Sequence, residues 1–148
     1  MGAYKRLYLD DANDLMRLVF EETSKDKTHD FSYFVEGFMS CKFRELMDVG
    51  STRIINMTYD ELMSYLHKEC PELYKRGKFS IDSLQAGWIG EIYNNLQFIL
   101  KISSKEIYEK FPLDKIMRYF VTLHTVSMEV ALDRLIQNEF KFAKESIK

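Results

Sequence analysis

Proline is nearly missing from this chain, with two in 148 residues, and glycine is sparse at six. So few breakers leave long stretches free to be helical and exclude a turn-rich all-β architecture. Two cysteines cannot staple a disulfide-dense scaffold. With three histidines they do not cluster into the three or four ligands that a zinc site needs, so no metal is expected. No apolar run approaches the roughly 20 residues that cross a bilayer, so no membrane partner is expected. Charge of neither sign dominates: 21 basic against 23 acidic residues give a formal −2. That balance makes nucleic acid an unfavourable partner, because phosphate contact requires a basic face. A phosphate-cradling glycine loop, HExxH, GxSxG and the dinucleotide fingerprint are all lacking, so no cofactor is expected.

What is present is apolar and periodic. Hydrophobic residues make up 46% and aromatics 14%, enough at this length to bury a core without disulfides or metals. Apolar positions recur at helical spacing almost throughout. Tyr8, Ala12, Leu15, Met16, Val19 and Phe20 form a first stripe. Phe31, Phe34, Val35, Phe38, Met39, Phe43, Leu46 and Met47 form a second, predicted as one helix over 30–48 and closed by Gly50. A helix from Ile81 to Leu100 carries the only tryptophan, Trp88, between Gly87 and Gly90. Interior helical glycine costs about 1 kcal/mol against alanine, so two of them around an aromatic predict close approach of another backbone or a ligand.

Three helix starts are written locally. Thr58-Tyr59-Asp60-Glu61 is a capping box with Met57 and Leu62 as its hydrophobic staple. Ser103-Ser104-Lys105-Glu106 repeats it with Ile102 and Ile107, and Ser127 caps the last helix. Pro112 fits the first turn of a helix carrying Leu113, Ile116, Met117, Phe120 and Leu123. The weakest stretches are 51–56 and 71–79, the second read as an exposed loop with room for a short strand pair. The expected fold is therefore all-α: a single compact domain over 1–148 of about seven helices, built around the Trp88 helix. Residues 138–148 are a charged tail that projects or packs on a partner. The start, Met1-Gly2-Ala3-Tyr4-Lys5-Arg6, runs straight into an acidic amphipathic segment without an export-type apolar region. Cys41 and Cys70 are accordingly expected as reduced thiols of a cytoplasmic protein.

Candidate chemistry is thin. His67 and Cys70 lie one helical turn apart, a spacing that supplies two metal ligands but no third, so a surface histidine and a partly buried cysteine are the plainer reading. A cysteine nucleophile would need a base such as His29 or His124 beside it. Asp10, Asp11 and Asp14, with Glu21 and Glu22, read as a solvated acidic face that could meet a basic partner. Gly37 marks either a tight crossing against the Gly87/Gly90 face or a tolerated glycine near a kink. Trp88, spaced with Leu84 and Ile92, reads as core or as a binding anchor. His124 ends a helix, where it can cap free carbonyls.

The segments Trp88-Ile89-Gly90, Tyr93, Ser103-Ser104-Lys105-Glu106-Ile107, Tyr119 and Leu123-His124-Thr125 resemble those of a family of small uncharacterised bacterial proteins. Its Trp-x-Gly segment opens a long aromatic helix, and a Tyr/His segment precedes the last one. Here Tyr119 and His124 stand one residue farther apart than in one form of that motif, and Thr125 takes the place of an acidic residue. Relatives occur beside predicted toxins, including ADP-ribosyltransferase-like ones, which implies an antitoxin or accessory role.

The expected function is a non-enzymatic protein-binding module, an antitoxin or immunity-type partner that neutralises a bacterial toxin. Asp10, Asp11, Asp14, Glu21, Glu22 and His124 are the candidate contacts. The alternative is a small enzyme with a pocket where Trp88, Tyr93, Tyr119 and His124 converge. A DNA-binding regulator built on the helix at 60–68 is disfavoured by Asp60 and Glu61 in its first turn. Apolar surface left over after folding would also suit a homodimer.

Overall fold

The computed structural model describes the backbone of residues 8–147 and the side chains of these residues other than Thr52, Ile55 and 140–147. Among the described residues the periodic stripes become nine α-helical segments: α1 (Leu9–Lys25), α2 (Phe31–Met39), α3 (Lys42–Asp48), α4 (Thr52–Ile55), α5 (Tyr59–Glu69), α6 (Ser83–Leu100), α7 (Ser104–Lys110), α8 (Leu113–Leu123) and α9 (Met128–Ile147). A 3-10 turn, Pro71–Leu73, follows α5. The fold is a single compact all-α unit, as its composition requires.

Two segments exceed the expected seven. The helix predicted over 30–48 divides at Ser40 and Cys41. The Ser40 hydroxyl donates back to the carbonyls of Glu36 (3.2 Å) and Gly37 (3.4 Å), a local bond that competes with the helical ladder. Cys41 is extended and starts α3. The weak stretch at 51–56 holds the other addition, α4, which buries Ile54.

α6 lies at the centre. Ala86, Ile89, Ile92, Tyr93 and Leu96 are buried around most of its circumference, as in a helix covered on several sides. Each large apolar side chain so buried contributes about 1.5–3 kcal/mol. Asp82 caps its first turn by accepting from the Leu84 N–H (3.2 Å). Lys101 ends it in the left-handed region at φ 56°.

α1 packs along α6 more extensively than any other helix does. Gly90 makes this contact: a Cβ there would stand 2.7 Å from the Met16 carbonyl oxygen. The close crossing expected at the α6 glycines is therefore made by α1. Gly37 takes no part in it. A Cβ on Gly37 would meet Leu73 Cδ2 at 2.6 Å, so this glycine admits the 3-10 turn. Beside the crossing, Asn94 Nδ2 donates to Asn13 Oδ1 (2.7 Å) and Asn13 Nδ2 to Asn95 Oδ1 (3.3 Å). α2 completes this part of the core, with Phe20 edge-on to Phe31, Phe34 and Phe38 at 5.6–6.0 Å.

N-caps form at Thr58, Ser103 and Ser127, but only Thr58 makes the full box. The Glu106 carboxylate takes the Ser103 hydroxyl (3.3 Å) rather than its N–H, and Pro112 stands at the N-cap of α8 rather than in its first turn. Thr58 and Glu61 make the reciprocal capping box of α5. Ser103 accepts from the Glu106 N–H (3.1 Å), and Ser127 from the Val130 N–H (3.2 Å). The stretch at 71–79 is mostly exposed, as expected, but it is anchored to the fold. Leu73 is buried, and the segment is stitched to the start of α2: Asp30 N–H donates to Lys75 O (2.8 Å), Phe31 N–H to Phe79 O (3.0 Å). The strand pair allowed there reduces to one antiparallel bridge, His29 with Arg76. At the other end, Asn138 donates to the Tyr119 hydroxyl (3.0 Å) and Glu139 pairs with Lys115 (2.8 Å). The first two residues of the predicted tail are thus tied to α8; the side chains from Phe140 onward lie outside the described residues.

Candidate partner-binding groove

Three helices meet at a surface groove with a cavity of about 350 Å³. α1 supplies Arg17 and Glu21, α6 supplies Leu84, Trp88 and Glu91, and α8 supplies Phe120 and His124. The floor is aromatic. Half-buried Trp88 meets Phe120 edge to face at 5.4 Å, and the His124 ring stacks on Phe120 at 4.4 Å. His124 Nδ1 donates to the Phe120 carbonyl at 2.6 Å, the capping role expected for a histidine at a helix end. Trp88 is thus neither sealed in the core nor free of it.

One wall is charged. In α1, Asp10, Asp14, Arg17 and Glu21 follow one another at spacings of four, three and four, which places them on one face. Arg17 bonds Glu91 across to α6 through Nε, and reaches Asp14 at 3.4 Å through Nη2. Glu21 lies over Gly87, where a Cβ would fall 2.5 Å from its Oε1. Glu22 pairs with Lys25 at 2.8 Å. Of the two carboxylates that line the groove, Glu91 is paired with Arg17, and Glu21 has no ion pair among the described residues. Asp10 and Asp11, also without one, lie nearer the start of α1 and do not line the groove. Around it the surface is apolar: Leu84 is 69% exposed and Val121, beside Phe120, 72%.

The four-residue pocket expected for an enzyme does not assemble. Trp88 and His124 line one groove, but Tyr93 is buried on another side of α6 and donates to the Phe111 carbonyl (2.7 Å). Its burial raises the phenol pKa well above the ordinary value. Tyr119 is engaged by Asn138 instead. His67 and Cys70 also part company. The His67 ring stacks on Tyr74 at 4.1 Å, while Cys70 is buried. Among the described residues no group of three or more His, Cys, Asp or Glu side chains could hold a metal ion, and no helix is long and apolar enough to cross a membrane.

A larger hollow, about 520 Å³, lies elsewhere, between α2, the 75–79 segment and the start of α8. Two of its polar groups, Asp30 and Lys75, are committed to the fold. The Asp30 carboxylate accepts from the Ser32 hydroxyl, the Tyr33 N–H (3.1 Å) and the Phe79 N–H (3.4 Å), and these bonds, Ser32 first, hold its pKa below the ordinary value. Lys75 sits over the Tyr33 ring at 4.9 Å.

Arg17, Leu84, Glu91 and Phe120 complete the groove and escaped the sequence reading. The spacing of Asp10, Asp14, Arg17 and Glu21 is the signal that would have found Arg17. A buried network escaped it too. Arg44 Nε donates to Ser104 Oγ (2.7 Å) and faces Asp48 Oδ1 at 3.3 Å, while the Ser104 hydroxyl and N–H donate to Asp48 at 2.6 and 2.7 Å. It joins α3 to α7 and belongs to the scaffold.

No protein-family model, curated protein or solved structure matches this chain.

Proposed function

We propose that the protein is a non-enzymatic binding module that seats the Trp88 groove and the acidic face of α1 on another protein. The partner is basic, and the mode of action is occlusion, as in an antitoxin or immunity protein covering a toxin's substrate cleft. The observation that carries this reading is the exposed Leu84 beside half-buried Trp88, with the Glu21 carboxylate, which has no ion pair among the described residues, on the same groove. Burying an aromatic anchor inside a rim of complementary charge is how protein interfaces concentrate their affinity and steer association. An ADP-ribosyltransferase-like toxin is the partner implied by the family resemblance.

The test is co-expression with the product of the adjacent gene, read by affinity co-purification and by growth. A stable complex and rescued growth are expected, and the doubly changed Leu84→Arg/Glu21→Lys chain should lose both while melting like the wild type. Failure of the wild type to bind or rescue overturns the proposal.

A further inference from the structure

We propose that the larger hollow, between α2, the 75–79 segment and the start of α8, is a binding site for a short peptide with both termini free. At about 520 Å³ it has the size of a small-molecule site. Asp30 and Lys75 are engaged within the fold. Arg76 and Glu36, which also line the hollow, make no side-chain hydrogen bond or ion pair among the described residues.

These two groups belong to opposite ends. The antiparallel bridge between His29 and Arg76, with the Asp30 N–H on the Lys75 carbonyl at 2.8 Å, fixes both cationic residues beside the start of α2. Two cations against the Asp30 carboxylate leave this end positive. Glu36 follows Asp30 by six residues, about 9 Å along the axis at the helical rise. There it shares the wall with Tyr108 of α7, and the two also line a smaller cavity of about 250 Å³. Asp114, at the start of α8, adds a second carboxylate, held only by an exposed pair with Arg118 at 3.7 Å. Between the ends stands Tyr33, one helical turn before Glu36 and on the same face. Phe79, Leu113 and Met117 make the rest of the lining apolar.

This distribution selects the ligand. A lone anion such as phosphate would meet the Glu36 and Asp114 carboxylates, and a polyamine would meet Lys75 and Arg76. A peptide zwitterion suits both ends. Its carboxylate seats on the Arg76 guanidinium, whose planar fork matches it, and its ammonium on Glu36. Extended chain covers about 3.3–3.6 Å per residue, so three residues bridge the roughly 9 Å between them. The middle side chain then lies over Phe79, Leu113 and Met117, which favours an apolar residue there. A single amino acid carries both charges on one carbon and reaches one end at a time.

The test titrates the full chain with the tripeptide Ala-Leu-Ala, its N-acetyl and C-amide forms, and leucine, following backbone amide shifts by NMR. The free tripeptide should saturate shifts at residues 30–36, 75–79 and 113–117. Each blocked form should bind about tenfold more weakly, the loss of one charge-assisted bond. In Arg76→Gln the penalty for the C-amide should vanish while that for the N-acetyl stays, and in Glu36→Gln the reverse. Both side chains are exposed, so each variant should melt like the wild type, and the blocked-peptide series on the wild type stands without them. No saturable shift, shifts that map elsewhere, blocked peptides that bind as well as the free one, or leucine binding as tightly as the tripeptide would each overturn the proposal.

Discussion

Gly90 rests against the Met16 carbonyl oxygen so closely that a methyl group there would come within 2.7 Å of it, with Phe20 Cγ at 2.9 Å. Backbone cannot rotate away as a side chain can. Gly90→Ala should therefore destabilise the fold by about 1–3 kcal/mol, although alanine is the better helix former by about 1 kcal/mol. Gly87→Ala meets the side chains of Glu21 and Arg17 instead. Its stability should stay within about 1 kcal/mol of wild type while Glu21 and Arg17 leave their places in the groove. Urea denaturation of the two variants separates the cases, and equal losses would contradict the geometry.

The Arg44–Asp48 pair is almost fully removed from water. Breaking a buried ion pair from one side leaves an uncompensated charge. Asp48→Ala should then cost about 3–5 kcal/mol, and Arg44→Met added to it should restore part of the loss. A double-mutant cycle measures this directly, and strictly additive effects would show that the two side chains are not coupled.

Asp30 sets an acid limit. Its hydrogen bonds to Ser32, Tyr33 and Phe79 depress the folded-state pKa below the ordinary 3.8. Such a carboxylate contributes stability that is present above the unfolded value and lost as pH falls through the folded one. Below about pH 4 the wild type should lose stability more steeply than Asp30→Asn, because asparagine keeps a capping oxygen without the titration. Asp30→Ala should cost about 1 kcal/mol at neutral pH as a lost N-cap. Thermal melts across this pH range check both, and matching acid limbs in wild type and Asp30→Asn would refute the assignment.

Trp88 is the sole tryptophan, so its fluorescence reports on the groove alone. Phe120→Ala removes the ring at 5.4 Å and should shift the emission to the red, with the fold retained. A bound partner should shift it to the blue. An unchanged spectrum in Phe120→Ala would mean that the two rings are not in contact in solution.

Much of the scaffold was legible because it is written locally. The Thr58 and Ser103 caps need only neighbours three residues away, and the burial of α6 follows from apolar residues around its circumference. Other features depend on contacts that no window contains. The break at Ser40 was hidden because Phe38 and Phe43 feed the same core, so the apolar period runs through it. Arg44 and Asp48, four residues apart, have the spacing of an exposed helical ion pair, and Ser104, which draws the network inward, is 60 positions from Arg44. Tyr93 and Trp88 stand five residues apart on one helix, and only the packing of α1, α7 and α8 decides which of them reaches the surface. Trp88 and His124 were picked out and do line one groove, on either side of Phe120. Spacing puts Arg17 on one face with Asp14 and Glu21, but its pairing with Glu91 on α6 is a tertiary contact that spacing could not reveal.

The carboxylate that Asp48 extends to the first N–H of α7 spans 56 positions of chain. α7 has only seven residues, too few to persist by itself. Its first turn is anchored by a residue from the first third of the protein, so α7 must wait for α3 to dock. Closure over such a span raises contact order and slows folding, and it leaves no stage at which the later helices are finished without the earlier ones. The chain therefore matures as one cooperative body, and amide exchange at Ser104 should follow the opening of α3.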